Sequence, residues 1–329
     1  MSASEVAVLA RDPATAGRVV VTGLGGHLPE TVVGNEDIAA DTGVDSAWIE
    51  RRTGIVARRR SPAGEELLDL VTPAAHRTLR DAGVAADELD LVLLASVSQG
   101  RPMPPVAPQL AHAIGATRAG AFDLGAACSG FVIALANGCA FIEAGRARHV
   151  LVVAADQLSR QTDPSDRRTA ALFGDGAAAV LLSRGSGEGS WAMELGCDGS
   201  SARLIENDRD SGLIRMDGHA TFIQAVRRME QSTRSVCRRA GVSLADVDLF
   251  VFHQANARIT RALVERLGVG SERVADCIAM LGNTSAASVP LALEQVRGEG
   301  RLQAGDRVLV AAFGAGLVWG AMLIEWGTP

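Results

Sequence analysis

The chain has 329 residues, 47% hydrophobic and 21% charged, with a formal net charge of −6. That is ordinary globular composition, too long for one small domain, and its mild acidity argues against a nucleic-acid partner. The cysteines (Cys128, Cys139, Cys197, Cys237, Cys277) are odd in number and never spaced as CxxC, which predicts a reduced, cytoplasmic protein with no disulfide framework and no metal site. No apolar run reaches the roughly 18 uninterrupted residues of a membrane span, and no secretory leader pattern opens the chain, so no membrane partner is expected.

Residues 1–17 read as a polar, Ala-rich extension that frays. Arg18–Leu24 is a buried-strand pattern. Gly23, Gly25 and Gly26 then give a partial dinucleotide fingerprint, but Leu28-Pro29 stands where its helix would open, so a turn is predicted. Asn35–Gly43 reads as a helix capped by Asn35, and Asp45–Gly54 as a helix capped by Asp45. Trp48 and Arg52 are four apart and share a face of that second helix. They fit either a core Trp beside a solvated Arg, or a rim that stacks and charge-pairs a nucleotide.

Glu65–Gly83 is helical in pattern and Leu89–Ser96 is a buried strand. Pro102, Pro104, Pro105 and Pro108 break the loop before a short helix from about Gln109 to Ile114. Ala121–Leu124 is a strand that runs into small residues, Cys128, and a helix over Gly130–Ala144. A thiol at that junction meets the unpaired N–H groups of a helix start, which favour an anion and lower its pKa. The local pattern fits a nucleophile and a buried structural cysteine equally. His149–Ala155 and Ala177–Leu182 are further strands.

The second half repeats this order. LADVDLFVFH (Leu244–His253) matches DELDLVLLAS in the first half, and RVLVAAF (Arg307–Phe313) matches HVLVVAA. The counterpart of the cysteine junction runs from Val274 to Asn283-Thr284-Ser285, which puts Asn283 where Cys128 sits. Residues 196–218 read as loop. Alternating strands and helices predict an α/β fold with a mostly parallel sheet per half, divided as 18–186 and 187–329 after the extension at 1–17. His253 ends the strand equivalent to Leu89–Ala95, and ligands gather at the carboxyl ends of strands in open α/β sheets. Cys128, His253 and Asn283 are thus expected at one edge.

WIERRTGI (Trp48–Ile55), AACSGF (Ala126–Phe131), DPSDR (Asp163–Arg167), FGDGA (Phe173–Ala177), HQANARI (His253–Ile259), GNTSAASVP (Gly282–Pro290) and the closing FGAGLVWG occur together and in order. With them the chain resembles the thiolase superfamily, and within it beta-ketoacyl-acyl carrier protein synthase III. The resemblance implies a thiolase-like fold of two duplicated halves with mixed sheets in an α/β/α/β/α layering. It implies an acyltransferase that loads an acyl group from coenzyme A onto Cys128. Condensation with malonyl-acyl carrier protein follows, with loss of carbon dioxide, to begin a fatty acid or prime a polyketide. His253 and Asn283 would hold the malonyl carbonyl, and the N–H groups of Cys128 and Ala315 would form the oxyanion hole. Trp48 and Arg167 would flank the adenine, Arg52 its phosphates, and His219 the pantetheine arm. Met103 would enter a partner subunit's acyl pocket, implying a homodimer. Arg258, Arg261 and Arg266 fit equally a patch for the acidic carrier protein and a solvated helix face. No cofactor is implied beyond the coenzyme A thioester as substrate.

Ala315 replaces a family glycine, His219 a common Asn and Met103 a frequent aromatic residue, so a longer or branched starter is compatible. The alternative reading keeps the Cys128 acyl-enzyme but passes its acyl group to an alcohol, amine or carrier thiol without decarboxylation. Thiolase itself would need a second cysteine near the C-terminus, and 311–320 contain none.

Overall fold

Runs such as LVLLA and RVLVAAF are apolar on both faces and need a layered fold that covers both. The computed structural model describes residues 8–11, 17–101, 103–188 and 191–327. The first half carries β1 (Val8–Arg11), β2 (Gly17–His27), β3 (Val32–Gly34), α1 (Asn35–Thr42), α2 (Ser46–Thr53), β4 (Ala57–Arg59) and α3 (Leu67–Ala82). It continues with β5 (Leu91–Ala95), α4 (Val106–Ile114), β6 (Gly120–Leu124), α5 (Gly130–Glu143), β7 (His149–Asp156) and β8 (Gly176–Glu188). The second half carries β9 (Ala192–Cys197), β10 (Ile205–Asn207), β11 (Ile214–Met216), α6 (Gly218–Arg239), β12 (Leu249–Phe252) and α7 (Ala257–Leu267). It closes with α8 (Ile278–Leu281), α9 (Ser288–Gly298), β13 (Arg307–Gly314) and β14 (Val318–Glu325).

Two five-stranded sheets form, ordered β2-β8-β7-β5-β6 and β1-β9-β14-β13-β12. Helices α5 and α9 lie between them, where Phe131, Leu135, Val289 and Leu293 pack with Val152 and Val310 of the facing strands. Helices α3 and α4 cover the outer face of the first sheet, and α6 and α7 that of the second. The architecture is therefore α/β/α/β/α.

Both sheets are mixed, against the mostly parallel sheets expected from element order. In the first, β7, β5 and β6 run parallel while β2 and β8 pair antiparallel. In the second, only β12 and β13 are parallel. A doubly buried strand carries the same apolar run in either direction, so the pattern is silent on orientation.

Other local expectations are corrected. Gly23, Gly25 and Gly26 do not turn; β2 continues through them after a register shift at Thr22. They clear a path for α3 and α9: an added Cβ would meet Thr78 O at 2.5 Å from Gly23, Arg77 Cβ at 2.6 Å from Gly25, and the Glu294 carboxylate from Gly26. Asn35 is not a cap but a buried residue whose Nδ2 donates to Ile55 O, while Gly34 occupies the cap position. Asp45 does cap α2, accepting from Trp48 N–H. The stretch 196–218 holds the β10–β11 hairpin rather than loop alone. Of the extension expected to fray, 8–11 is edge strand β1 on β9; 1–7 and 12–16 lie outside the described residues. The division drawn at 186/187 falls inside β8. Among the described residues no helix is long and apolar enough to cross a membrane.

Candidate active site at the junction of the two halves

Several matching points of the two halves recur at one spacing. Asp90 donates its N–H to His149 O and accepts the His149 N–H; Asp248 does the same with Arg307. Past β6 the chain makes a tight turn over Ala127–Ser129 and opens α5 at Gly130; ahead of α9 it makes the same turn over Ser285–Ala287 and opens the helix at Ser288. At this spacing the counterpart of Cys128 is Ala286, and that of Asn283 is Gly125. The expected equivalence of Asn283 with Cys128 is thus three residues out of register, although both lie at the same pair of turns.

Cys128 lines a cavity of about 250 Å³ together with Ala315, Ser285, Val97, Leu158 and Phe173. The floor is tight: a Cβ on Gly314, the last residue of β13, would lie 2.8 Å from Cys128 N. Ser285 Oγ donates to Cys128 Sγ at 3.5 Å. The thiol does not have the lowered pKa expected at a helix start. Burial pushes it up to about 12, the Asp156 carboxylate adds to the rise, and the Ser285 hydroxyl and the backbone N–H oppose it. The loss of water costs the thiolate more than the helix end returns.

Asn283 is buried, and its backbone is held across the bridge to Phe173: its N–H donates to Leu172 O and its carbonyl accepts Gly174 N–H. Its Oδ1 accepts the Ser285 N–H at 2.9 Å, which fixes the amide so that Nδ2 is the end left for a ligand. His253 is also buried, at the end of β12, with its N–H on Ala311 O of β13. The neighbouring Gln254 side chain laces this segment down, bonding Phe252 O, Ala275 O and Cys277 N–H. His253 Nδ1 lies 2.7 Å from Ser288 Oγ, which also accepts the Gln254 N–H. Among the described residues Nδ1 is the acceptor left for the Ser288 hydroxyl hydrogen. That assigns the imidazole hydrogen to Nε2. Burial lowers the His253 pKa to about 3, so the ring is neutral at physiological pH. The junction therefore offers a thiol and two neutral N–H donors, one imidazole and one carboxamide.

The remaining expected residues lie on other elements. Arg52 lies over the Trp48 ring at 5.7 Å, and its carbonyl accepts from Asn256 Nδ2 in the HQAN segment. Trp48 leans on the cluster of Ile49, Ala170 and Ala171, which brings the loop of Arg167 beside α2. Arg52, Arg167 and His219 are exposed, the last in the first turn of α6. Arg258 lies over Phe222 at 5.9 Å, and Arg261 is exposed one turn on. Arg266 is already paired with Glu230 at 2.6 Å, so its charge is less free than that of the other two. Met103 is 78% exposed on the loop before α4. Sequence reasoning missed Ser285 and Ser288, although both stand inside the GNTSAASVP motif, and missed Asp156 altogether.

Two family models match the chain, 3-oxoacyl-[acyl-carrier-protein] synthase III over residues 122–212 and the C-terminal model of the same synthase over 237–326. Beta-ketoacyl-[acyl-carrier-protein] synthase III 2 of Streptomyces coelicolor is 46% identical over 310 residues, 93% of each chain. The chain belongs to the beta-ketoacyl-[acyl-carrier-protein] synthase III family. It is an acyltransferase of the condensing type. Among solved members, the synthase III of Aquifex aeolicus matches with a TM-score of 0.90 at 40% identity, covering 94% of this chain and 100% of its own. The priming beta-ketosynthase from the R1128 polyketide biosynthetic pathway matches with a TM-score of 0.91 at 35% identity, covering 97% and 99%. Both synthase III models meet at this junction, since Cys128 lies in the first and His253 and Asn283 in the second.

Proposed function

We propose that the chain carries an acyl group from acyl-coenzyme A on Cys128 and condenses it with malonyl-acyl carrier protein. The reading is carried by one observation: a thiol lining a small, largely apolar cavity is bonded by Ser285, which also fixes the Asn283 amide, while Ser288 at the end of the same turn holds the neutral His253. In the first step the sulfur bonds to the thioester carbonyl carbon, the carbon–sulfur bond to coenzyme A breaks, and the thiol proton leaves with the coenzyme A thiol. The N–H groups of Cys128 and Ala315 take the developing oxyanion.

In the second step the malonyl carboxylate leaves as carbon dioxide and its bonding pair becomes an enolate. His253 Nε2–H and Asn283 Nδ2–H hold the enolate oxygen. The enolate carbon then bonds to the acyl carbon, and the Cys128 sulfur departs. Fixed donors in a site that excludes water stabilise such charge strongly; losing one typically costs about 10²–10³ in rate. His253 suits this role because burial keeps it neutral: an imidazolium would bind the malonyl carboxylate and oppose its departure.

Trp48, Arg52 and Arg167 form the rim for the adenine and phosphates, with His219 nearer the pantetheine. Arg258 and Arg261 form the patch for the acidic carrier protein. The exposed Met103 meets a second copy of the chain, making a homodimer. Incubation with a panel of acyl-coenzyme A thioesters, read by intact mass, tests the loading step. Wild type gains one acyl mass and Cys128→Ala gains none; equal labelling of both overturns the assignment. Carbon dioxide release from malonyl-carrier protein then tests condensation.

A further inference from the structure

Asp156 ends β7, is fully buried, and among the described residues forms no ion pair. Hydrogen bonds alone hold its carboxylate: Ser96 Oγ donates at 3.1 Å, Val97 N–H at 2.9 Å and Ala286 N–H at 3.4 Å. Ser98 Oγ lies 3.3 Å from Ser96 Oγ and accepts the Gln157 N–H; burial raises the Asp156 pKa, and its hydrogen bonds oppose the rise. A buried carboxylate without a counter-charge is costly unless its donors are fixed in place. These donors come from both halves, Ser96 and Val97 after β5 and Ala286 before α9. Asp156 therefore clamps the turn that carries Ser285 against Cys128 and Asn283.

That turn is itself under constraint. Ser285 has φ 52°, a left-handed backbone that serine rarely adopts. Its N–H orients Asn283 and its hydroxyl donates to Cys128 Sγ.

We propose that Asp156 and Ser285 are positioning residues for Cys128: Asp156 fixes the turn, and the Ser285 hydroxyl carried on that turn holds the sulfur. This rests on the reading of Cys128 as the nucleophile. The two groups act on the thiol with opposite sign. The Asp156 charge disfavours the thiolate and the Ser285 hydroxyl favours it. Of the other titratable groups, His253 is held neutral by burial and contributes no charge, and Glu206 lines the cavity of Cys128.

The test is the rate of Cys128 alkylation by iodoacetamide at fixed pH, resolved by peptide mass so that the exposed Cys197 is counted separately. Ser285→Ala raises the thiol pKa and Asp156→Asn lowers it. A shift of one unit changes the thiolate fraction about tenfold and, because a less basic thiolate is a weaker nucleophile, the rate about threefold. The expected result is about threefold slower labelling for Ser285→Ala and about threefold faster for Asp156→Asn. A rate change of the same sign in both, or none in either, overturns the proposal. Ser285→Gly suits the left-handed backbone and repeats the test if a variant fails to fold. Wild-type loading by acyl-coenzyme A is measured in parallel. If loading is absent, the catalytic reading fails while the alkylation ratios still stand; if loading is normal and the ratios are unity, only the positioning proposal fails.

Discussion

Ala127, at φ 45°, and Ser285, at φ 52°, adopt the same left-handed backbone at matching points of the two halves. Each begins the tight turn that delivers a helix to the junction, and among the described residues they are the two non-glycine positions with positive φ. Left-handed backbone costs an L-residue about 1–2 kcal/mol. Here the neighbouring elements hold both residues in it, which is how strain persists at a site.

Ala127→Gly relieves that strain while adding unfolded-chain entropy of about 0.5–1 kcal/mol, so the two effects nearly cancel. Ala127→Val adds β-branched bulk where the backbone least accepts it. Thermal melts are expected to leave the glycine variant within about 1 kcal/mol of wild type and the valine variant clearly below it. A valine variant as stable as wild type would show that the turn relaxes freely.

Asn283→Asp separates the two chemical steps. The aspartate still presents an oxygen to the Ser285 N–H, so the turn survives, but a negative oxygen replaces the Nδ2 donor. Loading of Cys128 by acyl-coenzyme A is expected to persist. Carbon dioxide release from the malonyl thioester falls by about 10²–10³. Equal losses in both steps would mean that Asn283 acts on the thiol instead.

His253 links stability to pH. Its folded pKa is about 3, below the ordinary 6.5, so the folded state resists its protonation and the unfolded state does not. Its contribution is intact above pH 6.5 and is lost as pH falls from 6.5 toward 3. The slope is about 1.4 kcal/mol per pH unit. His253→Gln removes this proton. Urea unfolding of both proteins from pH 7 to pH 4.5 should therefore show the wild-type advantage shrinking steadily in acid. A constant difference would mean that the ring gains a proton in the folded protein.

The carrier-protein patch is expected to be uneven. Arg258→Glu raises the KM for malonyl-carrier protein several-fold, more so at low salt, because exposed charges are screened as ionic strength rises. Arg266→Ala changes it less, since Glu230 already neutralises that guanidinium. Steady-state kinetics at two salt concentrations distinguish them, and an Arg266 effect larger than that of Arg258 would relocate the patch.

The sequence was legible where a local cause acts alone. Asp45 and Gly54 bracket α2 because an acceptor side chain and a left-handed glycine end a helix whatever surrounds it. The doubly buried strands β5 and β7 were plain for the same reason. It misled where a distant neighbour decides. Gly23 reads as a turn in isolation, yet its small size serves the approach of Thr78 on α3. Cys128 reads as an activated thiol at a helix start, yet the surrounding protein pushes its pKa the other way. Asp156 was invisible because a carboxylate at a strand end ordinarily marks solvent, and only the meeting of two halves buries it. The alignment of the halves slipped because Asn283 precedes its turn whereas Cys128 lies within it.

The match between Cys128 and Ala286 has a wider consequence. Two identical subunits joined about an axis must change together, since every substitution appears twice. Here the repeats share one backbone, and one copy has a cysteine where its twin has an alanine whose N–H serves Asp156. Covalent fusion is what permits such a division of labour: one copy carries the sulfur, and the other holds the turn beside it.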